Sequence, residues 1–252
     1  MGERQMKALS RLLIAAAVVL AGVAATVRAQ QNRLIEPDAM AALTKMGGYL
    51  RSLKAFQVDA VTSTEDVLED GQKVQFGGVT KLLARMPDRL FISVDSDRQN
   101  REYVYDGKNF SLRANRVSYY ASVAAPPTIA ALSDALDEQY GLSLPLEDLF
   151  RWGGPQSKDS TITSAMSIGP GQVGGVTCGH YAFRQDGLDW QVWIQMGDYP
   201  LPRKLVLTTL TDEARPQYVA TFTWNLAPSF NEAAFSVVPP KDFGRVVFHD
   251  LK

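Results

Sequence analysis

The chain has 252 residues, with 26 basic and 27 acidic side chains and a net charge of −1. No basic stripe or run of lysines occurs, so the electrostatic footprint of a nucleic-acid-binding protein is missing. One cysteine, Cys178, excludes an internal disulfide, and the two histidines, His180 and His249, form no Cys or His pair at zinc-ligand spacing.

The start of the chain reads as a secretory leader. Arg4, Lys7 and Arg11 precede an apolar run over residues 12–27, which closes on Val27-Arg28-Ala29. A basic start, a short apolar middle and small residues at the exit predict a signal peptide cleaved after Ala29. The run falls short of the roughly 20 apolar residues that span a bilayer. The expected organisation is therefore a signal peptide over 1–29 and one domain over 30–252, with no stable membrane span after cleavage. Removal takes away Arg4, Lys7, Arg11 and Arg28 against Glu3 alone, which leaves the remainder more acidic than the whole. Without disulfides that remainder is held by its core, and it is long enough to form one.

Residues 38–56 have helical spacing. Ala39, Leu43, Met46, Leu50 and Leu53 make one stripe, Asp38 stands at the start, and Gly47-Gly48 weakens the middle. From Phe56 the period becomes two, with Val58 and Ala60 on the face of Phe56. Strands are predicted over 74–85, 89–96, 101–106, 109–114 and 117–121, and Asp106-Gly107 marks a tight hairpin. Pro126-Pro127 ends this meander. Helices are predicted over 128–140 and 146–152, placed to lie across the open side of a curved sheet. Strands resume over 160–168, 176–184, 188–196, 203–210 and 217–226, with Asp186-Gly187 as a further hairpin, and residues 235–240 read as a last edge segment before Pro239-Pro240. The expected fold is mainly β with α: a single strongly curved antiparallel sheet, a half-open β-barrel, with an N-terminal helix and inserted lid helices.

This arrangement resembles the lipoprotein-carrier superfamily of the LolA and LolB type. The residues that carry the likeness run in order: Leu50-Arg-Ser-Leu-Lys-Ala-Phe56, Gly78 to Leu90 with its Pro-bearing corner, Val104-Tyr-Asp-Gly-Lys-Asn-Phe110, and Phe235-Ser-Val-Val-Pro-Pro240. More narrowly, Cys178-Gly-His-Tyr-Ala-Phe183, Asp189-Trp-Gln-Val-Trp-Ile194 and Leu201-Pro-Arg-Lys204 resemble DUF2092, a family of predicted periplasmic proteins. The resemblance implies a LolA-like half-barrel with a helical lid over an apolar cavity that holds acyl chains, and a periplasmic location. In the carriers an arginine directly precedes the corner proline and helps close the lid. Here that position is Met86, and Arg85 is offset by one residue, which on a strand points it to the opposite face. The carriers' closing device therefore does not transfer.

Other motifs bear on chemistry. Gly169-Pro-Gly171-Gln-Val-Gly174 matches a dinucleotide fingerprint by letter, but residues 176–184 directly after it read as a strand instead of the helix such a site needs, so it is read as a hairpin loop. Cys178 and His180 are two apart and share a strand face. They suit either the packing of an inner face or a nucleophile and its base, for which no third orienting group is identifiable. In 188–194 one face carries Leu188, Trp190, Val192 and Ile194, and in 221–226 Phe222, Trp224 and Leu226 share a face. Such faces serve as plain core in a closed sheet and as pocket wall in a half-open one. The candidate ligand-binding residues are Trp190, Val192, Phe222, Trp224, His180 and Leu83.

The function these features predict is non-catalytic: a periplasmic binding or carrier protein for a lipid-like or otherwise apolar ligand, an acyl chain for example, with no cofactor and no metal. One alternative is an envelope sensor or interaction module that presents its concave face to another envelope protein. Another is a hydrolase built on Cys178 and His180.

Overall fold

The computed structural model describes residues 34–154, 157–229, 232–236, 238–239 and 241–249. The leader segment and its cleavage point lie outside the described residues. Helix α1 (Pro37–Ser52) opens the fold, with Pro37 at its first turn, where a missing N–H costs nothing. Its stripe, Ala39, Leu43, Met46 and Leu50, is buried. The helix is shorter than the spacing suggested because Phe56 already belongs to the first strand.

The first meander comprises β1 (Ala55–Val67), β2 (Lys73–Arg85), β3 (Arg89–Ser96), β4 (Asn100–Tyr105), β5 (Asn109–Ala114) and β6 (Tyr119–Ala124). Gly107 takes φ +88° in the β4–β5 hairpin, a conformation that favours glycine. The strand expected from residue 117 begins two residues later, because Asn115–Val117 forms a 3-10 turn and Ser118 is left-handed. Helix α2 (Ile129–Tyr140) follows, capped by the Thr128 hydroxyl, which accepts from the Ala131 N–H, and ended by Gly141 in the left-handed region. Helix α3 is only Asp148–Arg151. The expected helix over 146–152 is cut short because Leu146 is itself left-handed, at φ +61°.

The second meander comprises β7 (Ser164–Val173), β8 (Val176–Gln185), β9 (Leu188–Gln195), β10 (Pro202–Thr209) and β11 (Gln217–Asn225). The glycine-rich 169–174 motif lies largely within β7, where a bulge between Ser167 and Gly169 absorbs it, and the turn falls at Gly174-Gly175. The expected edge strand over 235–240 is not formed by its described residues. Glu232–Phe235 makes a 3-10 turn, Phe235 is buried, and the edge is taken by β12 (Gly244–Arg245), parallel to β6.

Among the described residues these strands form one 12-stranded sheet in the order β12-β6-β5-β4-β3-β2-β1-β11-β10-β9-β8-β7. All neighbours are antiparallel except β12 and β6. The two meanders meet at β1 and β11, with Val58 opposite Trp224 and Ala60 opposite Phe222. The sheet does not close, since β7 and β12 are its two edges. Tyr105 and Phe110 from one side and Phe183 and Val192 from the other belong to one buried cluster with Leu43, Met46, Leu132 and Leu149 of the helices. The sheet therefore wraps around its helices, and the fold is mainly β, a half-open barrel.

Candidate functional site

The site arises from a change of chemistry along the inner face. Alternation sends every second side chain to that face. On β1 these are Phe56, Val58 and Ala60, then Thr62, Thr64 and Asp66. The apolar half is buried in the core. The polar half is not, and there Thr62, Thr64 and Asp66 line a cleft of about 720 Å3. Neighbouring strands show the same gradient. Leu82 gives way to Thr80 and Phe76 on β2, and Ile92 to Val94 and Ser96 on β3. The floor contains Val94, Tyr103, Leu205, Leu207 and Phe222, and the mouth carries Asp66, Ser96, Arg98, Gln99 and Arg101.

The roof is the segment around α3. Leu142, Leu144, Leu146, Leu149 and Trp152 face the cleft. A second cleft of about 270 Å3, which includes Trp190 and Leu188, shares Ser143, Asp148, Trp152, Leu205 and Leu207 with the first. The two are therefore neighbouring compartments beneath one roof. The roof is tied to α2 through Ser133, whose hydroxyl donates to Glu147 at 2.9 Å and accepts from Arg151 at 2.9 Å. It is tied to α1 through Arg51, which donates to the Trp152 carbonyl at 2.8 Å.

Asp148 is the charged roof residue that lines the larger cleft. It borders both compartments and its side chain is exposed. Desolvation pushes its carboxyl above the ordinary range. Glu147 adds to the rise, and Arg151 and Lys158 oppose it. Across the cleft, burial and then the charge of Asp148 push the Tyr218 phenol up to about 12.

The six candidate residues part company in the structure. Trp190 borders the smaller cleft and stacks on Phe183, with ring centroids 4.2 Å apart. Phe222 borders the larger. Val192 is on the inner face but fully buried in the core. Trp224 packs on Phe56 at 5.6 Å and donates its Nε1–H to the Pro202 carbonyl at 2.8 Å, so it too is wall material behind the cleft. Leu83 and His180 are corrections. Leu82 and Ala84 hold the inner positions of β2, which puts Leu83 on the outer face. Phe183 lies opposite Trp190, so Tyr181 and Phe183 point inward and His180 outward. There His180 stacks on Trp193 at 3.9 Å, and its Nε2 is 2.9 Å from the Gln191 side-chain oxygen.

Cys178 shares the outward parity of His180 but is fully buried, and its thiol donates to the Val176 carbonyl. Burial raises its pKa, against a smaller opposing effect from Arg203. The thiol and the imidazole thus have separate partners. No group of three or more metal-ligating side chains occurs among the described residues. Nor is any described helix long and apolar enough to cross a membrane. At the corner, Arg85 points away from the cleft and pairs with Glu232, one of its two contacts being 2.9 Å, while Met86 packs on the core.

Motif reading passed over Tyr218, Val94, Tyr103, Arg101 and Asp148. The parity of β1 would have located the polar end of the inner face, since Thr62, Thr64 and Asp66 continue the Phe56-Val58-Ala60 series. Asp148 had no such signal, because its position depends on how the roof folds back.

A comparison with solved structures finds several that are similar to this chain. An uncharacterised conserved protein from Thermus thermophilus is 11% identical with a TM-score of 0.47, covering 83% of this chain and 99% of that one. LprF from Mycobacterium bovis is 12% identical with a TM-score of 0.44, covering 83% and 99%. A LolA superfamily protein from Nitrosomonas europaea is 8% identical with a TM-score of 0.37, covering 79% and 97%. A sequence comparison with curated proteins gives no match. The family model for "Predicted periplasmic protein (DUF2092)" matches residues 39–249, and the chain belongs to that family.

Proposed function

We propose that this chain is a periplasmic binding or carrier protein for an apolar, lipid-like ligand, held between the curved sheet and the roof, and that it performs no bond chemistry. One observation carries the reading: a cleft of about 720 Å3 remains beneath the roof after the helices have packed, with aliphatic and aromatic floor and ceiling. That volume falls within the usual range for small-molecule pockets, about 300–1,000 Å3. Burial of ten methylenes contributes roughly 8 kcal/mol before ordering costs, equivalent to about micromolar binding. Such affinity suits carriage with release. The separate partners of Cys178 and His180, and a thiol held protonated by burial, favour a non-catalytic role.

Of the residues first singled out, Phe222 and Trp190 are the proposed ligand contacts. Titration of the purified protein with an apolar fluorophore such as N-phenyl-1-naphthylamine tests this. We expect saturable uptake, weakened at least several-fold by Phe222→Ala through lost contact area. Val192→Ala and Trp224→Ala should act mainly through stability. No saturable uptake by the folded protein would dispose of the reading, and mass spectrometry of organic extracts from natively purified protein would identify the natural occupant.

A further inference from the structure

Arg101 is the unusual group of this cleft. It lies on β4 opposite Val94, with Tyr103 next on the same face, so its side chain belongs to the inner row. It is half-buried. Other arginines hold acceptors on the protein: Arg51 on Trp152, Arg113 on Glu102, Arg203 on Gln195. Arg98, also at the mouth, pairs with Asp66 and lies 4.8 Å from the Phe76 ring centroid. The Arg101 side chain makes no hydrogen bond, ion pair or ring contact among the described residues. Its guanidinium nitrogens stay open to solvent, and their five donors have no acceptor on the protein among the described residues, so they are free to take one from an occupant.

Its row explains what it faces. Strand register carries one line across the sheet from Arg101 through Val94, Thr80 and Ala60 to Phe222. Adjacent strands are about 4.8 Å apart, so the line crosses roughly 19 Å of sheet, measured along the backbones from β4 to β11. Apart from Thr80 this line is apolar, with a single cation at its open end. Arg98 is neutralised locally by Asp66, which leaves Arg101 as the uncompensated positive group of the mouth.

We propose that the occupant is an amphiphile with an anionic head group, a carboxylate or a phosphate ester, which Arg101 holds at the mouth while the hydrocarbon follows the row toward Phe222. This deepens the apolar-ligand reading and rests on it. A planar guanidinium takes two oxygens of either head group in a bidentate fork, which a point-charge ammonium does not reproduce. The hydrocarbon supplies most of the affinity, and the head group sets orientation and selectivity.

The test is competition. The chain from residue 30 onward is loaded with N-phenyl-1-naphthylamine, and this neutral fluorophore is displaced with three ligands of one chain length: dodecanoate, dodecyl phosphate and dodecanol. The wild type should bind at least one of the anions about tenfold or more tightly than the alcohol, in keeping with a charged hydrogen bond. Which anion is preferred separates a fatty-acid-like head from a phospholipid-like one. Arg101→Gln should remove the preference, weakening the anions far more than the fluorophore or dodecanol, and Arg101→Lys should keep part of it. The preference should shrink as salt rises, because the mouth is open to solvent.

Equal wild-type affinities for the anions and the alcohol would overturn the head-group assignment and leave the apolar site standing. So would an Arg101→Gln variant that keeps the full preference. Absence of saturable fluorophore uptake by the wild type would overturn both. Circular dichroism of Arg101→Gln controls for folding, and a variant that weakens all ligands equally also counts against the assignment.

Discussion

At the residue scale the charge of Asp148 works against the roof that carries it. Desolvation raises the free energy of the carboxylate, and Glu147 next to it adds repulsion that Arg151 and Lys158 only partly offset. A carboxyl whose folded pKa lies above its ordinary value of 3.8 holds more protons folded than unfolded. Stability then falls as pH rises from that value through the raised one, and the loss is complete above it. Asp148→Asn removes the titration. Thermal melts across pH should show the variant more stable than wild type at neutral pH, with the difference shrinking as pH falls and levelling off below about pH 4, where the wild-type carboxyl becomes protonated in both states. A difference that stays constant with pH would mean that the substitution acts through packing alone. Tyr218 does not confuse the experiment, since its phenol titrates near 12.

At the element scale the two adjacent glycines of α1 separate cleanly. A Cβ on Gly47 would stand 2.5 Å from the Trp152 carbonyl oxygen and 2.7 Å from its carbon, whereas a Cβ on Gly48 meets nothing within 4 Å. Both substitutions gain helix propensity, about 1 kcal/mol for alanine over glycine. At Gly47 the backbone collision prevails. We expect Gly47→Ala to destabilise by about 1–3 kcal/mol and Gly48→Ala to stabilise by roughly 0.5–1 kcal/mol, read from urea denaturation midpoints. If both variants shift the same way, α1 and the roof are not in this close contact. In the sequence the pair reads as one soft spot, since propensity is a property of each residue alone, while contact with Trp152 joins positions about a hundred residues apart.

The same limit governs what else was legible. Strand parity fixed the inner faces of β1 and β9 wherever apolar and polar residues alternate strictly. It placed neither Leu83, where Leu82-Leu83-Ala84 offers no alternation, nor His180, whose direction depends on the register that sets Phe183 opposite Trp190. The pairing of β1 with β11 joins the two ends of the described chain and leaves no local trace. The cleft itself is what the helices fail to fill, and no single residue records that. The 232–236 turn was hidden for a related reason: Phe235 is buried beside the Arg85 guanidinium, 5.6 Å from its ring centroid, and Glu232 is paired with the same arginine, all across more than a hundred residues of sequence.

At the scale of the whole molecule the two meanders share one core. Phe56, Val58, Leu82 and Ile92 from the first and Phe183, Trp190, Val192 and Phe222 from the second belong to one buried cluster with residues of all three helices. The meanders' joining strands β1 and β11 pair over eight positions from Gln57↔Asn225 to Thr64↔Tyr218. Unfolding should accordingly be a single cooperative transition. The cleft is walled by both halves, by Val94 and Tyr103 on one side and by Leu205 and Phe222 on the other. A ligand there binds the folded state alone, so it should move the entire transition. At a free ligand concentration 100 times its Kd the stabilisation is about 2.7 kcal/mol, which for a domain of this size is a rise in Tm of roughly 5–11 °C. Differential scanning calorimetry of the chain from residue 30 onward with dodecanoate or dodecyl phosphate measures it. One peak that shifts intact with ligand is the expected record. Two peaks, of which ligand moves only one, would show that the meanders are separate folding units and that the occupant rests on one of them. Phe222→Ala, at the seam of the two, should lower the ligand-free Tm and reduce the ligand-induced rise together, because the same ring closes the core on one side and lines the cleft on the other.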